Sequence, residues 1–133
     1  MGDLRDLTST EAIAKLKELA EGVKTCMFCT KLDEAPFSTR PMGVQEVDED
    51  GGLWFISAAS SNKNDDIKQD DKVQLIFSNP GNAHFLSVYG EASIYKDKKT
   101  IEDLWTPIAK AWFKEGKDDP DVTVIRVKPL DAY

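Results

Sequence analysis

The chain has one histidine and two cysteines among its 133 residues. The cysteines, Cys26 and Cys29, are spaced C-x-x-C, as in half a zinc site or a redox pair. Zinc needs further ligands, and His84 alone does not complete a set. A thioredoxin-like pair opens a helix whose positive end lowers the thiol pKa. The segment from Val23 to Thr30 has strand character instead, and positions three apart on a strand face opposite ways. Two buried or half-buried thiols are expected, with no metal. Basic residues are also in deficit, with 17 Lys and Arg against 24 Asp and Glu and a formal net charge of -7. No Lys/Arg run interrupts that excess, which argues against a nucleic-acid partner. No apolar stretch approaches a membrane-crossing length. Residues 1–6 have no apolar signal core, so a cytoplasmic protein is expected. A P-loop, a dinucleotide glycine fingerprint and a Ser–His–Asp set are all missing.

What is present fits one domain over residues 1–133, long enough to fold around its own core. Thr8-x-x-Glu11 is a capping box ahead of apolar residues at Ile13, Leu16, Leu19, Ala20 and Val23, which predicts an amphipathic helix ending near Gly22. Strands are predicted over 24–32, 36–47, 53–57, 72–78, 83–96 and 122–128. Turns at 48–52 and 79–82 divide them. Residues 53–57 are continuously apolar, as for a strand covered on both faces. Gly90 in mid-strand predicts a bulge or a close backbone approach. Short helices are predicted over 60–69, 98–104 and 107–114. Most connections are too short for parallel crossovers. The fold class is therefore mainly β: a six-stranded antiparallel barrel, closed or nearly so, with an N-terminal helix and connecting helices.

Two short segments stand out within that order. Ser38-Thr39-Arg40-Pro41-Met42 and Ser60-Ser61-Asn62-Lys63 each join a cation to small polar groups where a strand meets a turn. Arginine offers a planar fork of donors and lysine a compact charge, and both suit a phosphate. The second segment also opens a helix, whose free N–H groups favour an anion. Asp65 and Asp66, in the first turn, suit helix stability more than anion binding. His84 is expected as a core or interface residue satisfied by one hydrogen bond. Asp118, Asp119 and Asp121 belong to a solvated turn.

The order and spacing of several motifs resemble the pyridoxamine 5′-phosphate oxidase-like, FMN-binding split-barrel superfamily, and within it the general stress protein 26 group. Arg40-Pro41-Met42, Leu53 to Ser57, Ser61-x-Lys63, Val73-x-Leu75 and Tyr89-Gly90-x-Ala92 carry the likeness. So do Leu104-Trp105, Trp112-Phe113-x-x-Gly116 and Asp119-Pro120-Asp121. The group has His or Ser two places before the proline; Thr39 stands there and keeps a hydroxyl. The resemblance implies a homodimer with FMN in two clefts at the subunit interface. Arg40 and Lys63 would hold the phosphate, with Ser61 and Asn62 as further donors. Thr39 and Met42 would pass along the isoalloxazine, partly through backbone groups. Phe55, Ile56 and Ser57 would line the ribityl chain and ring, and Trp112 would reach across from the second subunit. The Arg/His substrate pair of true pyridoxamine phosphate oxidases has no counterpart near residue 133, which argues against vitamin B6 oxidation. A flavin-dependent oxidoreductase is the leading expectation, with no catalytic residue identified. A flavin-binding or sensing protein without turnover is a second, and a split barrel using a deazaflavin or haem a third.

Overall fold

The computed structural model describes residues 9–105, 113 and 115–132. The first helix, α1, spans Thr10–Val23 and buries Ala12, Leu16, Leu19 and Ala20. Its cap is Ser9, whose side chain accepts from the Ala12 N–H; Thr8 of the expected capping box lies outside the described residues. The helix stops at Lys24 rather than Gly22. Lys24 takes φ 70° and its N–H donates to the Ala20 carbonyl at 2.8 Å.

Seven strands follow: β1 Thr25–Thr30, β2 Ser38–Gly43, β3 Glu46–Val47, β4 Leu53–Ala58, β5 Lys72–Asn79, β6 His84–Tyr95 and β7 Val122–Ala132. They form one sheet in the order β2-β1-β5-β6-β7-β4-β3, with every neighbouring pair antiparallel. The seventh strand arises because the expected strand over 36–47 divides at Val44 and Gln45. The Val44 N–H donates to Lys24 beside β1, whereas the Gln45 N–H donates to Trp54 in β4. This division closes the barrel. β2 and β3 are the two outer strands of the sheet, yet two residues join them. From Gly43 to Glu46 an extended chain reaches no more than about 11 Å. The sheet must therefore curl until its edges meet, giving a split barrel.

Side-chain alternation then fills the interior. Phe28, Leu75 and Val88 share a row across β1, β5 and β6, and Phe55 packs edge-on against Phe28 with ring centroids 5.2 Å apart. β4 is covered on both faces, as its composition predicted. Leu53 and Phe55 enter the main core, while Trp54, Ile56 and Ala58 pack on a second cluster built from Ile101, Leu104, Phe113, Val122 and Val124. Ile101 and Leu104 come from α3, Lys98–Leu104, capped by Asp97. The predicted helix over 107–114 lies, apart from Phe113, outside the described residues.

The bulge expected at Gly90 is present, with a register shift between Tyr89 and Gly90 where Pro129 lies opposite. A Cβ on Gly90 would sit 2.7 Å from the Lys128 carbonyl oxygen, so only glycine fits without backbone movement. Both thiols are buried and free, and burial, reinforced by Cys29, pushes Cys26 up to about 12. His84, expected in the core or at an interface, is exposed at the first position of β6, outside the core.

Candidate functional site

The cleft of the barrel lies where β2 and β4 diverge. β3 covers β4 only at Leu53 and Trp54, so among the described residues the edge of β4 from Phe55 onward has no strand partner. The outer edge of β2 has none either. Between these edges is a cavity of about 970 Å³. Pro41, Met42 and Gly43 line one wall and Ile56, Ser57 and Ala58 the other. Ser61 and Lys63, from the start of α2 (Asn62–Gln69), and Phe113 also border it. Two exposed strand edges supply peptide donors and acceptors, while Met42, Ile56 and Phe113 supply apolar surface.

Lys63 is the unusual group. It is 5% exposed. Its ammonium donates to Ser61 Oγ at 3.2 Å, and no carboxylate among the described residues comes within ion-pair distance. Loss of water, and then the charge of Arg40, push its pKa down from 10.5 to about 8. Burying a cation without a counter-ion is costly. The donor set invites an anion.

Arg40 is set back from the cavity wall, in register with Phe28 on β1. Its Nη1 donates to the Phe28 carbonyl at 3.1 Å and to Thr30 Oγ1 at 2.9 Å. The Thr30 hydroxyl in turn donates to Asp66 Oδ2 at 2.7 Å. Asp66 is also 3.6 Å from Arg40 Nη2 and 3.5 Å from Lys31 Nζ. Asp66 was expected only to favour the helix start; buried, it closes a polar network across β1, β2 and α2.

A second network holds the start of α2. Ser61 caps the helix by accepting from the Asn64 N–H at 3.4 Å. The Asn64 side-chain amide donates to Thr123 Oγ1 at 2.9 Å, and Thr123 meets Ser57 Oγ at 2.7 Å. Ser60 is tied to Asp121 through its N–H and hydroxyl, both at 2.9 Å. Asn64, Thr123, Thr30 and Asp66 were not foreseen from sequence. Each became legible only when distant strands met.

Of the nine expected cofactor contacts, Met42, Ile56, Ser57, Ser61 and Lys63 border the cavity. The Thr39 side chain is on the opposite face of β2 from Arg40 and Met42, with Oγ1 3.4 Å from Cys29 Sγ. The Phe55 side chain is fully buried in the core. Strand alternation explains both placements, and leaves Phe55 only backbone contacts toward the cleft. Asn62 is exposed in the first turn of α2. Trp112 lies outside the described residues. Glu21, Lys24 and Gln45 also border the cavity without having been predicted.

A curled antiparallel barrel with a cation-bearing cleft at its split defines the class, and comparison with known proteins places the chain within it. Residues 11–133 match the family described as Pyridoxamine 5′-phosphate oxidase like, and the chain belongs to that family. Protein bli-3 of Neurospora crassa is 37% identical over 95 residues, or 64% of this chain; the match spans 46% of that protein's length. The general stress FMN/FAD binding protein of Xanthomonas citri superposes with a TM-score of 0.76 at 25% identity, covering 94% of this chain and 88% of that one. General stress protein 26 from Bacillus anthracis gives 0.77 at 23%, covering 91% of each chain. The fold is that split barrel.

Proposed function

We propose that the protein binds FMN in the cleft between β2 and β4 and serves as a flavin-dependent oxidoreductase. One observation carries the binding assignment: Lys63 is a buried cation, unpaired by any described carboxylate, at the wall of a large cavity. A phosphate monoester dianion would compensate it, aided by Ser61 and the N-terminal end of α2. Arg40 would add a second positive charge. Met42, Ile56 and Phe113 would offer the ring an apolar wall, and the peptide groups of both strand edges would meet its polar atoms. A bound flavin supplies two-electron acceptance at its ring; the protein supplies position and charge. Membership of the oxidase-like family supports this reading, as does the FMN/FAD binding described for the Xanthomonas citri protein.

The same proposal includes a homodimer with the cofactor at its interface. Met27 and Ile76 face each other in register on the outer face of β1 and β5, and both are exposed, as are Phe85 and Tyr89 on the same face of β6. An apolar sheet face of this kind fits a second copy.

Absorbance of the purified protein, chromatography of whatever it releases on denaturation, and light scattering test these points together. A flavin spectrum, released FMN and a dimer mass are expected. A haem Soret band, or equal affinity for riboflavin and FMN, would overturn the cofactor assignment. Anaerobic mixing with NADH or NADPH tests turnover; absence of flavin reduction on a physiological timescale would leave a binding protein without oxidoreductase activity.

A further inference from the structure

We propose that Thr30 and Asp66 are positioning residues of the anion end of the cleft: they hold Arg40 by Nη1 and leave its Nε–Nη2 edge for a phosphate. The inference rests on reading that end as the FMN phosphate site. Its geometry is specific. A guanidinium can present Nε and the adjacent Nη2 as two parallel donors, the pairing that matches two oxygens of a carboxylate or phosphate. In Arg40, Nη1 is occupied by the Phe28 carbonyl and Thr30 Oγ1. Neither Nε nor Nη2 makes a hydrogen bond with any described residue; the Asp66 oxygen, at 3.6 Å from Nη2, is too far for one. The Arg40 side chain remains 24% exposed, so it is not sealed in protein.

Thr30 is the link. It is fully buried, and its one oxygen accepts from Arg40 while its one hydrogen goes to Asp66. Asp66 thereby fixes the direction of the hydroxyl. Lys31, 3.5 Å from the other carboxylate oxygen, holds Asp66 from its far side. The carboxylate also offsets part of the Arg40 charge, whereas no carboxylate among the described residues offsets Lys63. The two cations thus have different tasks: Lys63 attracts the anion, and Arg40, held at one end, orients it.

Charge alone and positioning predict opposite signs for one substitution. Removing a carboxylate beside an anion site should tighten FMN binding if only Coulomb attraction matters. If Asp66 positions Arg40, Asp66→Ala should weaken it. The test titrates full-length protein with FMN and with riboflavin, which lacks the phosphate. Asp66→Ala and Thr30→Val should each lower FMN affinity about tenfold, the scale of one charge-assisted hydrogen bond, and leave riboflavin affinity unchanged. Thr30→Ser, which keeps the hydroxyl, should restore FMN binding. Equal losses for both ligands, or unchanged FMN affinity in Thr30→Val, would overturn the positioning role; so would tighter FMN binding in Asp66→Ala. If Asp66→Ala does not fold, the Thr30 pair decides alone. Unmodified protein with no preference for FMN over riboflavin would instead overturn the phosphate site itself, and this inference with it.

Discussion

Two aspartates flank β4 in the chain, Asp48 before it and Asp66 after it, and each pairs with an arginine, Arg126 and Arg40 respectively. They use the same chemistry to different ends. In the first, Arg126 Nε and Nη2 reach the two Asp48 oxygens at 2.9 and 3.4 Å. Asp48 also accepts from Trp54 Nε1 at 2.8 Å and the Gly52 N–H at 2.9 Å. The guanidinium lies over the Trp54 ring and so close to Gly52 that a Cβ there would collide with it. In that pair the forked Nε–Nη2 edge is filled by the carboxylate, and the contact locks the hairpin between β3 and β4 onto β7. In the second, the matching Nε–Nη2 edge of Arg40 makes no hydrogen bond among described residues. Burial does not separate the two, since both arginine side chains are about one-quarter exposed. Unused donors do.

The largest effect expected on this contrast comes from the open site. Arg40→Ala and Lys63→Met should each weaken FMN binding by about 1.5–3 kcal/mol, measurable by titration. Lys63→Met should also raise the melting temperature of the ligand-free protein, because it removes a buried charge that no carboxylate among the described residues compensates. A lowered melting temperature would show that Lys63 stabilises the empty fold. Next in size, Arg126→Met should cost about 1–2 kcal/mol of stability in denaturant unfolding, with the FMN-to-riboflavin preference intact. A changed preference would mean that the Asp48–Arg126 pair also serves the cleft.

pH should separate the pairs further. Lys63 has its pKa at about 8 in the folded chain and an ordinary value of 10.5. Between these the unfolded chain holds more protons, so stability without ligand should rise with pH. FMN affinity should fall across the same interval, by at most about tenfold per pH unit for one proton. Parallel changes in the two quantities would contradict the assignment to Lys63. The smallest effect lies on the acid side. Burial raises the Asp48 pKa, but hydrogen bonds from Arg126, Trp54 and Gly52 outweigh it and leave the carboxyl below its ordinary 3.8. Its contribution is complete above that ordinary value and is lost as pH falls through the folded one. Thermal melts under acid should show a shallower decline in Arg126→Met than in the unmodified chain.

Legibility from sequence followed locality. β4, β5, α2 and α3 were readable because periodicity, turns and caps lie within each segment. Ser61 and Asp97 show their capping role within a few residues. Arg40 and Lys63 were recognisable as a pair because each stands beside small polar residues in a segment where a strand meets a turn. The division of 36–47 was not readable, since nothing at Val44 or Gln45 shows that one N–H serves Lys24 and the next Trp54. Thr39 and Phe55 are instructive in another way. Their parity along the strand was available, and it assigns their side chains to the face opposite Arg40 and to the core. Thr30 and Asp66 are separated by 36 positions, and only the packing of α2 over the end of β1 brings them together.

The position of β7 has a consequence for biosynthesis. It lies between β6 and β4, so in the described sheet it is the sole link joining the β3–β4 ribbon to the other strands. A ribosome delivers β2 and β4, the two walls of the cleft, early. Neither can be set against the other through the sheet until residues 122–132 emerge. Pairings between such distant segments are slow to form. The nascent chain must therefore carry an incomplete barrel with unpaired strand edges until β7 emerges, and in that interval it is most exposed to aggregation or to capture by a chaperone.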